Sequence, residues 1–249
     1  MAVSLAYSGT RGKTSSQLKE FLNLNELTND EIFEINKSYL NNVIKLNKIG
    51  FKLFLVNKLY AKRGANLSQE FIDCLNANYY TDPEQIDFSS FESVMEINDW
   101  VAANTNNKIK DLVDYDYFNN YTKLLLINAS YFKGKWHNQF DRSHTYIDDF
   151  HLNNKDTVRV EMMKLLNKKF LFKINPGGIT AVTCEIPYIG DSLVMTVILP
   201  HEGISLKQVE SELTSDVLKQ IMYFNHNMYI GKVNIYLPKF KIEFKNQVI

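Results

Sequence analysis

The segment LLLINASYFKGKWHNQFD, Leu124–Asp141, carries the most structural information in this 249-residue chain. It opens with four apolar residues and no polar alternation, a pattern typical of a strand that is covered on both faces. Asn128 interrupts the apolar run. Because a buried amide without partners is costly, we predict that Asn128 is buried and hydrogen-bonded. Gly134 and Trp136 follow, so the residues alone predict a core strand that leads into an aromatic corner.

Apolar spacing on either side of this segment predicts further helices and strands. Apolar residues at helical spacing predict helices over residues 29–48, 67–79 and 90–113. A mostly apolar strand is predicted from Phe51 to Tyr60, and the unbroken apolar run Leu193–Leu199 predicts a fully buried strand.

A change of phase marks the C-terminal stretch of the sequence. Apolar residues alternate over Val233–Leu237 and again over Phe240–Phe244, but the second series is in the opposite phase. The change falls at Pro238, which cannot donate to a β-ladder, so we predict a bulge or a switch between sheets there.

Three motifs resemble the serpin family. N-A-x-Y-F-K-G-x-W-x-x-x-F-D spans residues 128–141, I-N-x-W-V-x-x-x-T-x-x-K-I spans residues 97–109, and L-P-K-F spans Leu237–Phe240. Asn57, Leu59 and Tyr60 are similar to the shorter family pattern N-x-L-Y. The resemblance implies an α+β fold with a large, mostly antiparallel main sheet, smaller packed sheets and flanking helices. It also implies one domain over residues 1–249, which is incomplete because a first helix and the reactive loop are expected outside it.

The resemblance implies an inhibitor and not an enzyme. In the family, a serine or cysteine protease attacks an exposed reactive loop, and the cleaved loop inserts into the main sheet as an extra strand. The expected partner of the full-length form is therefore a target protease. The alternatives are a non-inhibitory serpin that acts as a carrier or chaperone, and a fragment without function.

Five residues receive roles by resemblance. Asn128 and Trp136 match the region where the main sheet opens, with Trp136 near the entry end of the gap. Trp100, Thr105 and Lys108 match the helix that lies across the face of the sheet. No catalytic, cofactor-binding or metal-binding residue is implied, and the reactive loop follows L-P-K-F in the family.

Composition and charge point away from nucleic acids and membranes. The chain has 28 basic and 28 acidic residues, and it has no apolar run near the roughly 20 residues that a membrane-spanning helix needs. Lys37, Lys45 and Lys48 follow Glu31 and Glu34 on the first long helix. This mixture of charges predicts a solvated face, so glycosaminoglycan binding is not expected.

The cysteines and histidines do not form a site in the sequence. Cys74 and Cys184 lie far apart, so we predict two unpaired thiols. The histidines lack the spacing of metal ligands and are predicted to lie on the surface; they are His137, His144, His151, His201 and His226.

The expected location is the extracellular space, with the cytoplasm as the alternative. The N-terminus lacks the basic region of a secretory signal, so the location follows from the resemblance and not from a signal peptide. Sequons occur at Asn36, Asn66, Asn120 and Asn128. The first three are acceptors for glycosylation in a secreted protein, whereas Asn128 is expected to be inaccessible.

Overall fold

Two compact units make up the structure, which is a computed structural model that describes residues 1–46, 51–153, 155–223 and 228–241. We call Met1–Lys133 the N-terminal unit and Gly134–Ile249 the C-terminal unit. The described residues form seven α-helices and eight β-strands. The α+β class that the sequence predicts is confirmed.

The N-terminal unit contains one three-stranded sheet and five helices. The helices are α1 (Ala2–Ser8), α2 (Gly12–Phe21), α3 (Asn29–Leu46), α4 (Gln69–Tyr79) and α5 (Phe91–Asn104), and the strands are β1 (Phe51–Lys62), β2 (Glu84–Ile86) and β3 (Leu124–Gly134). β1 lies in the centre, between β2, with which it runs parallel, and β3. β3 is therefore an edge strand of the sheet that the described residues form.

A capping box, formed by Thr28 and Glu31, starts α3. The backbone N–H of Glu31 donates to Thr28 Oγ1 at 3.3 Å, and that of Thr28 donates to Glu31 Oε2 at 2.7 Å. These bonds satisfy amides that the helix cannot pair, and they hold the pKa of Glu31 below its usual value. Leu46 is the last described residue of the helix, so the end of the predicted range 29–48, with Lys48, lies outside the described residues.

The helix predicted over residues 90–113 is shorter in the structure. It begins after its N-cap Ser90, whose Oγ accepts from the backbone N–H of Glu92, and it ends at Asn104. Asn106 and Asn107 adopt left-handed φ angles of 55° and 56°, which a helix cannot continue through. The apolar residues that follow pack against the core from an irregular segment, so the predicted continuation is wrong.

The apolar stripe of α5 builds the core on one face of the sheet. Val94, Ile97 and Val101 are buried at helical spacing and contact Tyr60 on β1 and Ile127 on β3. A second cluster combines Leu59 on β1 with residues of α1 and α4. Because successive strand residues point to opposite faces, β1 contributes to both clusters.

A buried hydrogen-bond network joins α1, α3 and α4. The hydroxyl of Tyr79 donates to the carbonyl oxygen of Ser4 at 2.8 Å and lies 2.9 Å from Ser4 Oγ. Asn36 Nδ2 donates to both hydroxyls, at 2.8 Å for Ser4 and 3.3 Å for Tyr79. Burial raises the pKa of Tyr79 to about 12. The amide of Asn36 is thus engaged inside the unit, which argues against a glycan on this sequon.

Tyr60 provides a contrast, because its buried hydroxyl has no hydrogen-bond partner in the part of the chain that the structure describes. We expect Tyr79→Phe to lower the free energy of unfolding by about 2 kcal/mol, since it removes a hydroxyl that binds three groups. Tyr60→Phe is expected to leave it unchanged or to raise it, since phenylalanine removes an unsatisfied group. Urea titrations of both variants measure the difference. Equal losses would contradict the assigned roles.

The C-terminal unit is built on a five-stranded antiparallel sheet. Its elements are β4 (Tyr146–His151), β5 (Thr157–Ile174), β6 (Ala181–Pro187), β7 (Val194–Pro200), α6 (Leu206–Glu212), α7 (Ser215–Met222) and β8 (Tyr229–Pro238). The strand order is β4-β5-β6-β7, and β8 pairs with β5. The 18-residue β5 is long enough to pair with β4, β8 and β6 along successive parts of its length.

The prediction of a fully buried strand over Leu193–Leu199 is wrong. None of the residues of β7 is fully buried, and Val194 and Leu199 are 45% and 64% exposed. β7 is an edge strand of the described sheet, so only its middle packs well: Val197 contacts one apolar cluster and Ile198 another.

Pro238 ends β8, at the position where the sequence changes phase. It lies opposite Met162 of β5, and the preceding Leu237 lies opposite Met163. The second alternating series begins at Phe240, which is 63% exposed. Its remaining members, Ile242 and Phe244, lie outside the described residues.

A buried lysine that the sequence analysis did not single out joins β5 to α7. Lys173 is 2% exposed. Its Nζ donates to the carbonyl oxygens of Gln220, Ile221 and Tyr223, each at 2.7 Å. The last carbonyls of a helix have no partner within it, and they carry partial negative charge, so an ammonium group suits this position. Burial lowers the pKa of Lys173, while the carboxylate of Glu185 acts in the opposite direction.

Candidate functional site

The outer edge of β3 is the first part of the candidate site. Asn128 Nδ2 donates to Asn57 Oδ1 of β1 at 2.8 Å, and Asn57 is only 7% exposed. The predicted hydrogen bond of Asn128 is therefore present. Asn128 itself is exposed, so the prediction that it is buried is wrong, as is the argument that burial prevents its glycosylation. The reason is its position on an edge strand, where one side of the backbone faces solvent in the described sheet.

The apolar start of β3 packs on both faces, as its sequence predicts. Leu125 contacts the cluster under α5, whereas Leu126 contacts the cluster around Leu59. Ile127 is buried, but Leu124 is 48% exposed at the beginning of the strand. The two faces of β3 are therefore covered over residues 125–127 but not at its first residue.

Of the three residues predicted for the sheet-covering helix, Trp100 lies in α5, Thr105 caps its end and Lys108 lies beyond it. Trp100 is half-buried against the core cluster, and its ring centre lies 6.0 Å from Lys58 Nζ. Thr105 is fully buried as the C-cap, where its Oγ1 donates to the carbonyl oxygen of Val101 at 2.7 Å. Lys108 is exposed in the turn beyond the helix, so its predicted place on the helix is wrong.

Trp136 belongs to the C-terminal unit, whereas Asn128 belongs to the N-terminal unit. Its ring stacks on Tyr188 with the ring centres 4.4 Å apart, and it meets the Phe140 ring edge-on at 6.3 Å. A cleft of about 300 Å³ opens beside these rings; it is lined by Lys135, Trp136, Gln139, Phe140, Arg142, Thr145, Met163 and Lys239. The aromatic corner that the sequence predicts is therefore present.

The arrangement at the edge of β3 is suited to strand pairing. No group of His, Cys, Asp or Glu side chains within the described residues could hold a metal ion. His137 pairs with Asp191 at 2.8 Å and His201 lies 2.7 Å from Asn175 Oδ1, while His226 lies outside the described residues. The 11-residue strand β3 instead presents backbone donors and acceptors along its outer edge, which suits the addition of another strand.

The prediction of two unpaired thiols is confirmed. Cys74 and Cys184 are both free thiols. Among the described residues, none of the helices is long and apolar enough to cross a membrane.

Asn57 is the residue of this site that the sequence analysis missed. Asn57 is the first residue of the N-x-L-Y pattern, which was its signal in the sequence. The pattern does not indicate which residue Asn57 contacts. The partner lies 71 residues away in sequence. Only the pairing of β1 with β3 brings the two amides together.

We expect Asn128→Ala to lower the free energy of unfolding by about 1–2 kcal/mol, because the buried Asn57 Oδ1 loses this donor. Solvent at the exposed edge limits the loss to the lower part of the usual range. The matched control is Ser130→Ala, the next exposed residue on the same face of β3. A urea titration in which both variants unfold like the unchanged protein would show that the amide pair adds no stability.

Comparisons with known proteins identify relatives of the whole chain. The family model described as "Serpin (serine protease inhibitor)" matches residues 1–248. "Leukocyte elastase inhibitor" of Equus caballus is 33% identical over 253 residues. "Intracellular coagulation inhibitor 2" of Tachypleus tridentatus is 32% identical over 251 residues. The solved structure "Cleaved Serpin 42Da" superposes with a TM-score of 0.86 at 33% identity.

The matches cover nearly all of this chain and a smaller share of each relative. They include 97% of this chain and 64% of the Equus protein, and 99% of this chain and 60% of the Tachypleus protein. The solved structure is covered to 63%, against 98% of this chain. The chain thus spans somewhat less than two thirds of the length of these relatives.

Proposed function

We propose, because this chain belongs to the serpin family, that its full-length form is a suicide inhibitor of a serine or cysteine protease. The proposed activity is that of the family, serine-type endopeptidase inhibition, so the protein would act as an inhibitor and not as an enzyme. Two relatives carry the word inhibitor in their names, one of them for leukocyte elastase and the other for coagulation. Their particular targets remain properties of those proteins.

The observation that carries this proposal is the edge of β3. An inhibitor that traps a protease by loop insertion needs a strand whose outer edge can receive another strand. β3 is an edge strand of the described sheet, and Asn128 binds the buried Asn57 of the neighbouring strand β1. We propose that this amide pair fastens the region where the sheet opens, and that Trp136 lies near the entry end of the gap.

The sheet-covering role of α5 is part of the same proposal. Trp100 and the buried Thr105 support it through their packing and capping contacts. Lys108, in the turn beyond the helix, is proposed only as part of the segment that leads away from α5. All of residues 1–249 are proposed to belong to one serpin domain, which contains both compact units.

The location follows from the proposed function. We propose the extracellular space, where secreted proteases are met, with the cytoplasm as the alternative. The name of the Tachypleus relative includes the word intracellular, which favours keeping that alternative. Fractionation of cells that express the tagged transcript product decides between the two.

The inhibitor proposal is tested with proteases on denaturing gels. The transcript is first sequenced beyond the codon for Ile249. The protein that it encodes is then mixed with trypsin-, chymotrypsin-, elastase- and cathepsin-type proteases. We expect one class to give an SDS-resistant band at the summed mass. If no class gives such a band, the inhibitor proposal is rejected in favour of a carrier or chaperone.

The 249-residue polypeptide is tested beside the transcript product. Since the reactive loop follows L-P-K-F in the family, we expect this polypeptide to be digested while protease activity stays unchanged. An SDS-resistant band from it would place a reactive loop within residues 1–249.

A further inference from the structure

We propose that the cleft beside Trp136 binds a small aromatic carboxylate, with the ring against its apolar part and the charged group between its basic side chains. The cleft lies within the C-terminal unit and has a volume of about 300 Å³. Since an apolar cavity of about 150 Å³ holds one benzene ring, this cleft has room for a ligand of two fused rings with a charged group. Its size is at the lower end of the range for small-molecule sites.

The apolar part of the cleft consists of Trp136, Phe140 and Met163. Both aromatic rings also pack against the buried cluster around Leu165, at the margin of the core of the unit. Aromatic rings attract a further ring that stacks on them or meets them edge-on, and a methionine sulfur makes favourable contacts with a ring. This part of the cleft therefore suits a flat aromatic ligand.

Trp136 is held in place before any ligand binds. Its ring stacks on Tyr188 with the ring centres 4.4 Å apart and an angle of 14° between the ring planes. The next residue, His137, donates its backbone N–H to the carbonyl oxygen of Pro187 at 2.8 Å, and its Nδ1 lies 2.8 Å from Asp191 Oδ1. Because the ring and its backbone are already fixed, little conformational entropy is lost when a ligand packs against the indole.

The basic part of the cleft consists of Lys135, Arg142 and Lys239, all of which are exposed to solvent. Lys239 Nζ lies 3.2 Å from Glu161 Oε1, outside the cleft. The side chains of Lys135 and Arg142 make no hydrogen bond or ion pair within the part of the chain that the structure describes. Two basic side chains are thus available to an anion, and a guanidinium group can hold a carboxylate through two parallel hydrogen bonds.

The neighbouring carboxylates are engaged elsewhere. Asp141 precedes Arg142 in sequence, but its Oδ1 accepts from the backbone N–H and the hydroxyl of Ser143, at 2.9 and 2.7 Å. Glu161 is paired with Lys239, which also donates its backbone N–H to the carbonyl oxygen of Glu161 at 2.8 Å. The chain as a whole has no net charge, so the attraction for an anion is local to the cleft.

The two parts of the cleft together select the class of ligand. An inorganic anion meets the basic side chains but leaves the rings without a partner. A neutral aromatic molecule covers the rings but displaces water from the basic side chains without pairing them. An aromatic carboxylate engages both parts. The volume equals that of roughly ten water molecules, which is too little for a peptide of several residues.

Isothermal titration calorimetry of the 249-residue chain tests the proposal with 2-naphthoate as the ligand. We expect one molecule to bind per chain, with an affinity that falls as salt is added, because the basic side chains are exposed. The neutral analogue 2-naphthamide has the same rings. We expect it to bind at least about tenfold more weakly, since hydrogen bonds to a charged group are the stronger ones. Inorganic phosphate alone is expected to give no measurable heat of binding.

Two variants and one control locate the site. Arg142→Gln and Lys135→Gln are each expected to weaken the binding of 2-naphthoate by about three- to tenfold and to leave that of 2-naphthamide unchanged, which separates lost charge from altered packing. Lys207→Gln removes an exposed lysine of α6 outside the cleft and is expected to bind like the unchanged protein. In a Trp100→Phe background, 2-naphthoate is expected to shift the indole N–H resonance of Trp136.

Four results would each overturn the proposal. They are the absence of 2-naphthoate binding, binding of 2-naphthamide or phosphate as tight as that of 2-naphthoate, full affinity in both Arg142→Gln and Lys135→Gln, and an unmoved Trp136 resonance at saturation.

Discussion

Lys173→Met is expected to lower the free energy of unfolding of the C-terminal unit by at least about 3 kcal/mol. The methionine keeps most of the stem of the side chain but removes an ammonium group that binds three carbonyl oxygens, each at 2.7 Å. A hydrogen bond from a charged donor contributes about 1.5–3 kcal/mol, and loss of a partner in a buried site is costlier than loss at the surface. The lower desolvation cost of methionine offsets part of this loss.

The measurement uses Trp136 as the fluorescent reporter of the C-terminal unit. In a Trp100→Phe background, the emission of Trp136 reports on the C-terminal unit during a urea titration. Lys168→Met is the matched control, because Lys168 is an exposed lysine of the same strand, and surface substitutions usually change stability by less than about 0.5 kcal/mol. Similar curves for the two lysine variants would mean that Lys173 does not stabilise the end of α7.

Trp100→Ala is expected to lower the free energy of unfolding of the N-terminal unit by about 3 kcal/mol. Truncation of a packed tryptophan costs about 3–5 kcal/mol, and the half-buried ring places this variant at the lower end. The ring packs against the cluster that includes Ile97 and Val101. The ammonium group of Lys58 lies over the face of the same ring. Removal of the ring therefore takes away both apolar contact and a cation–π interaction.

Circular dichroism during a urea titration measures this loss. Met95→Ala is the matched control, because Met95 is a large apolar residue of the same helix but is 52% exposed. We expect the control to unfold close to the unchanged protein. A loss below about 1 kcal/mol for Trp100→Ala would show that the ring does not anchor α5.

Local patterns predicted the elements well where the signal lies in neighbouring residues. The Thr28–Glu31 capping box identifies the start of α3, because both hydrogen bonds join residues three apart. The end of α5 was missed because apolar spacing continues beyond it. What stops the helix is the left-handed backbone of Asn106 and Asn107, a conformation that asparagine adopts but does not require.

The candidate site was predicted in part. Its family motifs located Asn128, Trp136, Trp100 and Thr105, and the hydrogen bond of Asn128 is present. The exposure of Asn128 could not be predicted, because burial depends on whether a further strand lies beside β3. The exposure of Asn128 depends on how strands that are far apart in sequence pair with each other, and not on the composition of β3.

The sequence by itself determined the family, the α+β class and most of the helices and strands, since motifs and apolar periods are local properties. Only the tertiary structure placed Lys173 under the end of α7 and Asn57 opposite Asn128. Each of these sites joins polar groups from different elements. A polar side chain looks the same in sequence whether it faces water or a buried partner, so its role emerges only when packing fixes its neighbours and removes the solvent.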